Sequence, residues 1–302
     1  MDEYMQEPQT GPVPAGLRAD RVQRLLDWNR YKDALAEAGE WLREEPETPE
    51  PYNALALAYL GLNDFDKAHE CLNQALKLDP DEADAWFLRA VIYYSTQDWD
   101  NMQQAAAEGL RIDPERAHLH YLLANMHNKK GKFDRALSSI EQAMNLQPER
   151  GLYAALYSYV LANLNEIARS KEAADTALRL EAEDSMAFLY LGWAADRRGD
   201  ARAAKAMMEQ AIRLDPDDEQ TRTEYMQALQ KNYWFYRIFT LPLFLRRFKP
   251  WQLVLTWIAV WILFRPLVVV LILLYILAQL LSKIFVHIQV YGWHRAPKRR
   301  RK

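Results

Sequence analysis

Pro46, Pro80, Pro114, Pro148 and Pro216 stand on one 34-residue grid whose remaining point is Ala182. A period of that size confines the chain to folds built by stacking one small supersecondary unit, because such a unit cannot bury an apolar face alone. The residues leading into the prolines repeat as well: Leu78-Asp79-Pro80, Ile112-Asp113-Pro114, Leu146-Gln147-Pro148 and Leu214-Asp215-Pro216. With the proline at position 32, the units run 15–48, 49–82, 83–116, 117–150, 151–184 and 185–218.

Within a unit the apolar spacing is helical, in two stretches parted by a polar break. The second unit reads Tyr52, Leu55, Ala56 and Tyr59, then Asn63-Asp64, then Ala68, Leu72, Ala75 and Pro80; the sixth repeats this with Phe188, Leu191, Gly192, Gly199, Ala204, Met208, Ala211 and Pro216. Large residues at positions 4, 7 and 11 are expected to form the seam of the first helix. Small residues at 8 and 20 let its partner approach, and the proline ends the second helix.

This array resembles the tetratricopeptide repeat, with its aromatic-x-x-Leu-Gly-x-x-Tyr, Ala-x-x-x-Phe and Pro pattern. The fourth unit fits well, with His120, Leu123, Ala124, Gly131, Ala136, Ile140, Ala143 and Pro148. The fifth departs, with Ser170 for the small alanine and Ala182 for the proline, so its second helix is free to run on or shift. The first carries Arg18 and Arg21 at expected apolar sites, which suits a terminal unit with one wet face. The resemblance implies an all-α fold: a solenoid of about six helix-turn-helix repeats over residues 15–218, after a disordered tail at 1–14.

It also implies a concave groove lined by positions 2, 5, 9 and 12 of the first helices. Asn53, Phe87, Tyr94, Tyr121, Asn125, Asn128, Tyr159 and Trp193 then form a partner-binding groove. None of the groove positions is Lys or Arg, which argues against the carboxylate clamp of chaperone-docking relatives. Rigid aromatic area with polar tips suits an apolar or amphipathic peptide, or a helix. The competing reading makes many of these aromatics core residues, or has them covered by the chain's own C-terminal segment.

No catalytic constellation stands out: there is no glycine-rich phosphate loop, no His-Glu-x-x-His, and Cys71 is the lone cysteine. His118, His120 and His127 share one helix, but two of them fall at packing positions, so a structural role outweighs a metal role. The acidic run at 214–219 complements a helix dipole. The reading is a non-enzyme with no cofactor and no metal.

Charge then divides the chain. Residues 1–231 hold 26 basic and 41 acidic residues, a balance of 26 − 41 = −15, whereas 232–302 hold 12 basic residues and no Asp or Glu. The start lacks the apolar stretch of a secretory signal. A capping helix and aromatic belt are expected over 219–236, with Tyr233-Trp234-Phe235-Tyr236 at a membrane interface. Residues 237–291 follow as a membrane-embedded helical hairpin, transmembrane or re-entrant, with uncharged runs at 251–264 and 267–281 that lack a polar face. Each run is shorter than the roughly 20 residues that span a bilayer. A spanning hairpin, a single span over 267 to about 286 and a one-leaflet wedge therefore compete.

Arg246, Arg247 and Lys249 precede the runs, Trp251 opens the first, Arg265 separates them, and Lys283, Lys298, Arg299 and Arg300 follow, all assigned to the membrane interface. Basic clusters at both ends favour a hairpin with both ends cytoplasmic and Arg265-Pro266 at its turn. The tail 292–302 is assigned to topology and anionic lipid rather than nucleic acid, for want of interleaved aromatics.

The expected function is a membrane-anchored adaptor or scaffold that recruits a protein partner through its groove to the cytoplasmic face of a membrane, a bacterial inner membrane being favoured over an organelle. Two alternatives stand: a permanent accessory subunit or assembly factor of a membrane complex, with transmembrane partner subunits, and a membrane-shaping hairpin protein.

Overall fold

The computed structural model describes residues 15–180, 184–233 and 265–291, together with Leu255 and Ile258. Among them are fourteen α-helices and no strand. Twelve helices fall in pairs on the 34-residue grid, and two compact units, residues 1–147 and 148–302, divide the chain.

In the first unit the pairs are α1 (Ala15–Asp27) with α2 (Tyr31–Glu44), α3 (Glu50–Gly61) with α4 (Phe65–Leu78), α5 (Ala83–Ser95) with α6 (Trp99–Ile112), and α7 (Ala117–Lys129) with α8 (Phe133–Leu146). In the second they are α9 (Gly151–Asn163) with α10 (Ile167–Arg179) and α11 (Ser185–Arg197) with α12 (Ala201–Leu214). Two further helices follow, α13 (Glu219–Asn232) and α14 (Arg265–Tyr291).

Each pair reverses direction at position 15, where φ is positive every time: Asn29 at 57°, Asn63 at 59°, Gln97 at 60°, Gly131 at 68°, Asn165 at 65° and Gly199 at 82°. Asparagine and glycine tolerate this left-handed conformation, and Gln97 alone holds it without that help. The next residue is the N-cap of the second helix. Asp64, Asp98 and Asp200 there accept a backbone N–H through their carboxylates, while Lys132 has no such capping bond.

Positions 8 and 20 are buried in every pair, from Val22 and Ala34 to Gly192 and Ala204. At Gly192 the approach is so close that a Cβ would lie 2.6 Å from Met208 Cε. The seam expected at positions 4, 7 and 11 needs correction in α3, α5 and α7. There Tyr52, Leu55, Tyr59, Trp86, Arg89, Tyr93, His120, Leu123 and His127 are only half-buried. Fully covered instead are positions 3, 8 and 10: Ala85, Ala90 and Ile92 in α5, then Leu119, Ala124 and Met126 in α7. A first helix inside a stack meets neighbouring repeats as well as its own partner, so the small side chains that permit approach are the ones water leaves.

Of the two arginines at expected apolar sites in the first repeat, Arg21 is wet and Arg18 is not. Arg18 is fixed by a two-pronged bond to Glu44, Nε to Oε2 at 2.9 Å and Nη2 to Oε1 at 2.7 Å, and by Nη1 to Glu37 at 2.8 Å. Its side chain keeps 11 % of its exposure against 59 % for Arg21. In the fifth repeat α10 stops at Arg179 and does not run on. The two serines at positions 8 and 20 are fully buried and bond reciprocally, each hydroxyl donating to the other's carbonyl at 2.8 Å. Arg198 Nη1 closes the cluster with 2.7 Å to Ser170 Oγ.

Helix α13 continues the grid, burying Thr221, Ala228 and Leu229 at positions 3, 10 and 11 against α11 and α12. Helix α14 opens with Arg265-Pro266, a sequence suited to a helix start, and runs eight residues past Lys283. In the run 267–281 the polar residues are Tyr275 and Gln279, and Ser282 and Gln289 beyond it extend their line at spacings of 4, 3 and 7; Gln230 Nε2 of α13 donates to Ser282 Oγ at 2.7 Å while Tyr233 Oη donates to Gln289 Oε1 at 2.9 Å. The remaining surface is apolar, with Leu273, Leu277, Leu280 and Ile284 about half exposed or more.

Arg246, Arg247, Lys249, Trp251, Lys298, Arg299 and Arg300, most of the first hairpin limb, the belt beyond Tyr233 and the tails at 1–14 and 292–302 lie outside the described residues.

Candidate protein-interaction site

In the first unit, side chains of α1, α3 and α5 with Trp41 of α2 enclose a cavity of about 420 Å³. Asn53, Ala54, Leu57, Phe87 and Leu88 line it, Asp20, Glu50 and Asp84 stand among its walls, and among the described residues no Lys or Arg does. Asn53 is 9 % exposed and donates its amide to Glu82 Oε1 at 3.2 Å. A carboxylate only accepts, so this bond fixes the amide orientation and turns Oδ1 away, where no donor among the described residues meets it. Burial raises the Glu82 carboxyl above its ordinary value.

Further along the same unit the aromatic rings carry cations of their own. Arg116 lies 5.1 Å over Phe87, and its guanidinium pairs with Asp84. Lys129 stands 4.9 Å over Tyr94 and 5.8 Å over Trp99, and burial lowers its pKa. Burial raises the Tyr94 phenol. Both cations come from outside the four groove positions. The His118 ring sits 5.5 Å from Phe87 and 5.1 Å from Tyr121.

Exposure sorts the expected groove residues. Tyr121 at 7 % and Asn125 at 2 % belong to the core, as the competing reading had it. Phe87, Tyr94 and Asn128 are half-buried, and the Asn128 Oδ1 is a second buried acceptor without a donor. In the second unit Tyr159, Tyr190 and Trp193 form a triangle of rings, with Trp193 5.6 Å from both tyrosines. Tyr190 is buried, whereas Tyr159 and Trp193 keep part of their surface. Beside them Lys231 of α13 reaches Asp196 at 2.6 Å.

Cys71 is half-buried, and burial pushes its thiol up to about 11, so it stays protonated at neutral pH. Among the described residues, no group of three or more His, Cys, Asp or Glu is arranged to hold a metal ion.

Profiles of the tetratricopeptide repeat match residues 53–101, 117–150 and 186–218. No curated protein matches the chain by sequence. Among solved structures, PilF of Pseudomonas aeruginosa is 18 % identical, the match covering 70 % of this chain and 95 % of that one at a TM-score of 0.57. PilW, described as a widely conserved type IV pilus biogenesis factor, is 18 % identical over 70 % of this chain and 99 % of that one, at 0.54. A tetratricopeptide repeat protein from Parabacteroides merdae is 13 % identical over 74 % of this chain and 88 % of that one, at 0.59. Identities this low show the fold alone. With three profile matches on the 34-residue grid and left-handed turns at one position of every pair, the chain belongs to the tetratricopeptide-repeat superfamily, whose fold is a protein-interaction scaffold.

Proposed function

We propose that this protein is a membrane-anchored scaffold that captures a peptide or helix of a protein partner on the inner faces of its first helices. The observation that carries the reading is the set of part-exposed aromatic rings at these positions, Phe87 and Tyr94 in the first unit, which offer rigid area to an apolar or amphipathic segment. Tyr159 and Trp193 extend the same chemistry in the second unit, as rigid anchors with polar tips.

Helix α14 supports the anchor. Val269–Gln289 is long and apolar enough to cross a membrane, and only 17 % of its most apolar window is buried within the protein. Soluble proteins seldom leave so continuous an apolar surface in water. The hairpin with both ends cytoplasmic is retained, because Arg265-Pro266 begins this helix and a lone arginine at mid-membrane costs at least ~2.5–3.5 kcal/mol.

Photo-cross-linkers at positions 94, 128 and 193, with exposed Glu70 as control, test the capture. A protein cross-linked at the inner positions and absent at 70 is the expected result; equal labelling at all four defeats the reading. Gentle detergent extraction separates its forms, since stoichiometric membrane partners mark a complex subunit and substoichiometric soluble ones an adaptor. For topology, cysteines at 265 and 302 labelled from the same face, only after the cell is opened, would exclude a fully spanning hairpin.

A further inference from the structure

We infer that α14 enters the bilayer obliquely: Val269–Leu277 lies among acyl chains, while Ala278–Gln289 lies in the headgroup layer with one side on α13 and another on lipid. The inference rests on the anchored reading and gives the form of the anchor, which is re-entrant.

Burial divides the helix at Ala278. Every residue from Val269 to Leu277 is exposed, and the Tyr275 hydroxyl is the one polar side-chain group among them. A segment apolar all round suits acyl chains, which surround it, better than a protein groove, which takes a single stripe. From Ala278 onward the sides of the helix differ. Ala278, Ser282 and Val286, spaced by four, are at most 6 % exposed. Lys283 is exposed on a second side, and Leu280, Leu281, Ile284 and Phe285 are exposed on a third.

Helix α13 lies on the buried side. Gln230 Nε2 donates to Ser282 Oγ at 2.7 Å and stands 3.5 Å from Gln279 Oε1, Tyr233 Oη donates to Gln289 Oε1 at 2.9 Å, and the Tyr233 and Phe285 rings are 6.4 Å apart. This is a helix of the water phase. It carries Glu219, Arg222, Glu224 and Lys231, and Lys231, next to Gln230, pairs with Asp196 of α11. Charges are unfavourable in hydrocarbon, so the part of α14 that α13 touches stays at the boundary. The nine residues before it rise about 13 Å at roughly 1.5 Å each, under half of a hydrocarbon core of about 30 Å. An apolar stripe beside a basic residue is the pattern of a helix lying in an interface, its lysine among anionic headgroups.

The full-length protein is reconstituted in vesicles of phosphatidylcholine and phosphatidylglycerol. On a Cys71→Ala background, which removes the sole cysteine, a nitroxide is attached through Leu271→Cys, Leu273→Cys, Ile276→Cys, Leu280→Cys, Lys283→Cys or Ile284→Cys, all at exposed positions. Collisions with oxygen, which concentrates among acyl chains, are compared with those of a water-borne nickel chelate. The oxygen-to-nickel ratio is expected to rise from 280 toward 271, and to be severalfold lower at 283 than at its neighbour 284. Gln230→Ala with Tyr233→Phe should erase the contrast between 283 and 284 and leave 271, 273 and 276 unchanged.

A ratio that peaks at 280 and falls toward 271 is the profile of an upright span over Val269–Gln289, and would overturn the inference while leaving the anchor intact. Equal ratios at 283 and 284 before those two substitutions, or a contrast that survives them, would overturn the docking on α13. A ratio favouring nickel at every position would defeat the anchored reading itself.

Discussion

The fourth and fifth repeats solve the same packing problem with different chemistry. In the fourth, the contact between first and second helix is made by Ala124 and Ala136, both without solvent exposure. In the fifth the same two positions are Ser158 and Ser170, equally buried, with each hydroxyl donating to the other's backbone carbonyl at 2.8 Å. The position therefore demands a small volume and satisfied polar atoms, and alanine is only the commonest way to meet both. A serine pair works because it is a pair, with Arg198 as its third member.

The largest effect should come from breaking that pair. Ser170→Ala removes the nearest acceptor of Arg198 Nη1 and leaves Ser158 with one partner fewer, so the fifth repeat should lose about 1–3 kcal/mol, read by hydrogen exchange in α9 and α10. Ser158→Ala with Ser170→Ala and Arg198→Leu should recover most of it, because no polar group is then stranded. Equal losses for the single and triple variants would show that volume alone governs the contact.

The reciprocal experiment imposes the fifth repeat's solution on the fourth. Ala136→Ser alone buries a hydroxyl against Ala124 and should cost about 1–2 kcal/mol. Adding Ala124→Ser should return part of that, if the backbones of the two repeats approach alike. Failure of the double variant to exceed the single one would mean that Arg198 is required for the serine solution.

These repeats also show what could be read in advance. The proline grid, the paired helices and the turn were legible because each recurs at one position with one physical cause. Position 15 is the clearest case, left-handed in all six pairs although its residue is asparagine in three, glycine in two and glutamine in one. The burial pattern of the first helices was not legible. Two-helix reasoning places large residues on the seam, while a stacked helix is covered by further repeats that the period announces without showing which side chains they reach. The site was half legible: the acceptors and rings were found at inner positions, but Tyr121 and Asn125 proved to be core, and the cations over Phe87 and Tyr94 lie off the pattern.

A smaller gain is expected where the fourth repeat falls short of its neighbours. Lys132 stands at the N-cap of α8 with φ −91° and ψ 66°, close to the −92° and 74° of Asp64, which caps α4 through its carboxylate. Lys132→Asp should therefore stabilise the repeat by about 1 kcal/mol in chemical denaturation. Gln97→Asn, which eases the left-handed turn of the third repeat, should add a few tenths to about 1 kcal/mol.

The smallest effect is one of pH, and it again separates the two repeats. His127 of the fourth has a buried Nδ1 without a donor or acceptor, and burial, then Arg135, Lys132 and Lys130, hold its pKa below the ordinary value. Because the folded pKa is the depressed one, the unfolded chain takes up a proton first as pH falls. The contribution is complete above about 6.5, the unfolded value, and is lost as pH falls through the folded one. His69 in the second repeat behaves in the same sense, lowered first by burial and then by Arg89. The fifth repeat contains no histidine. Hydrogen exchange between pH 7 and pH 5, corrected for intrinsic rates, should thus show α7 losing protection relative to α9, and His127→Gln should bring their difference nearer to constant. A loss of equal size in both helices would assign the acid sensitivity to the net acidic charge of residues 1–231 rather than to the histidine.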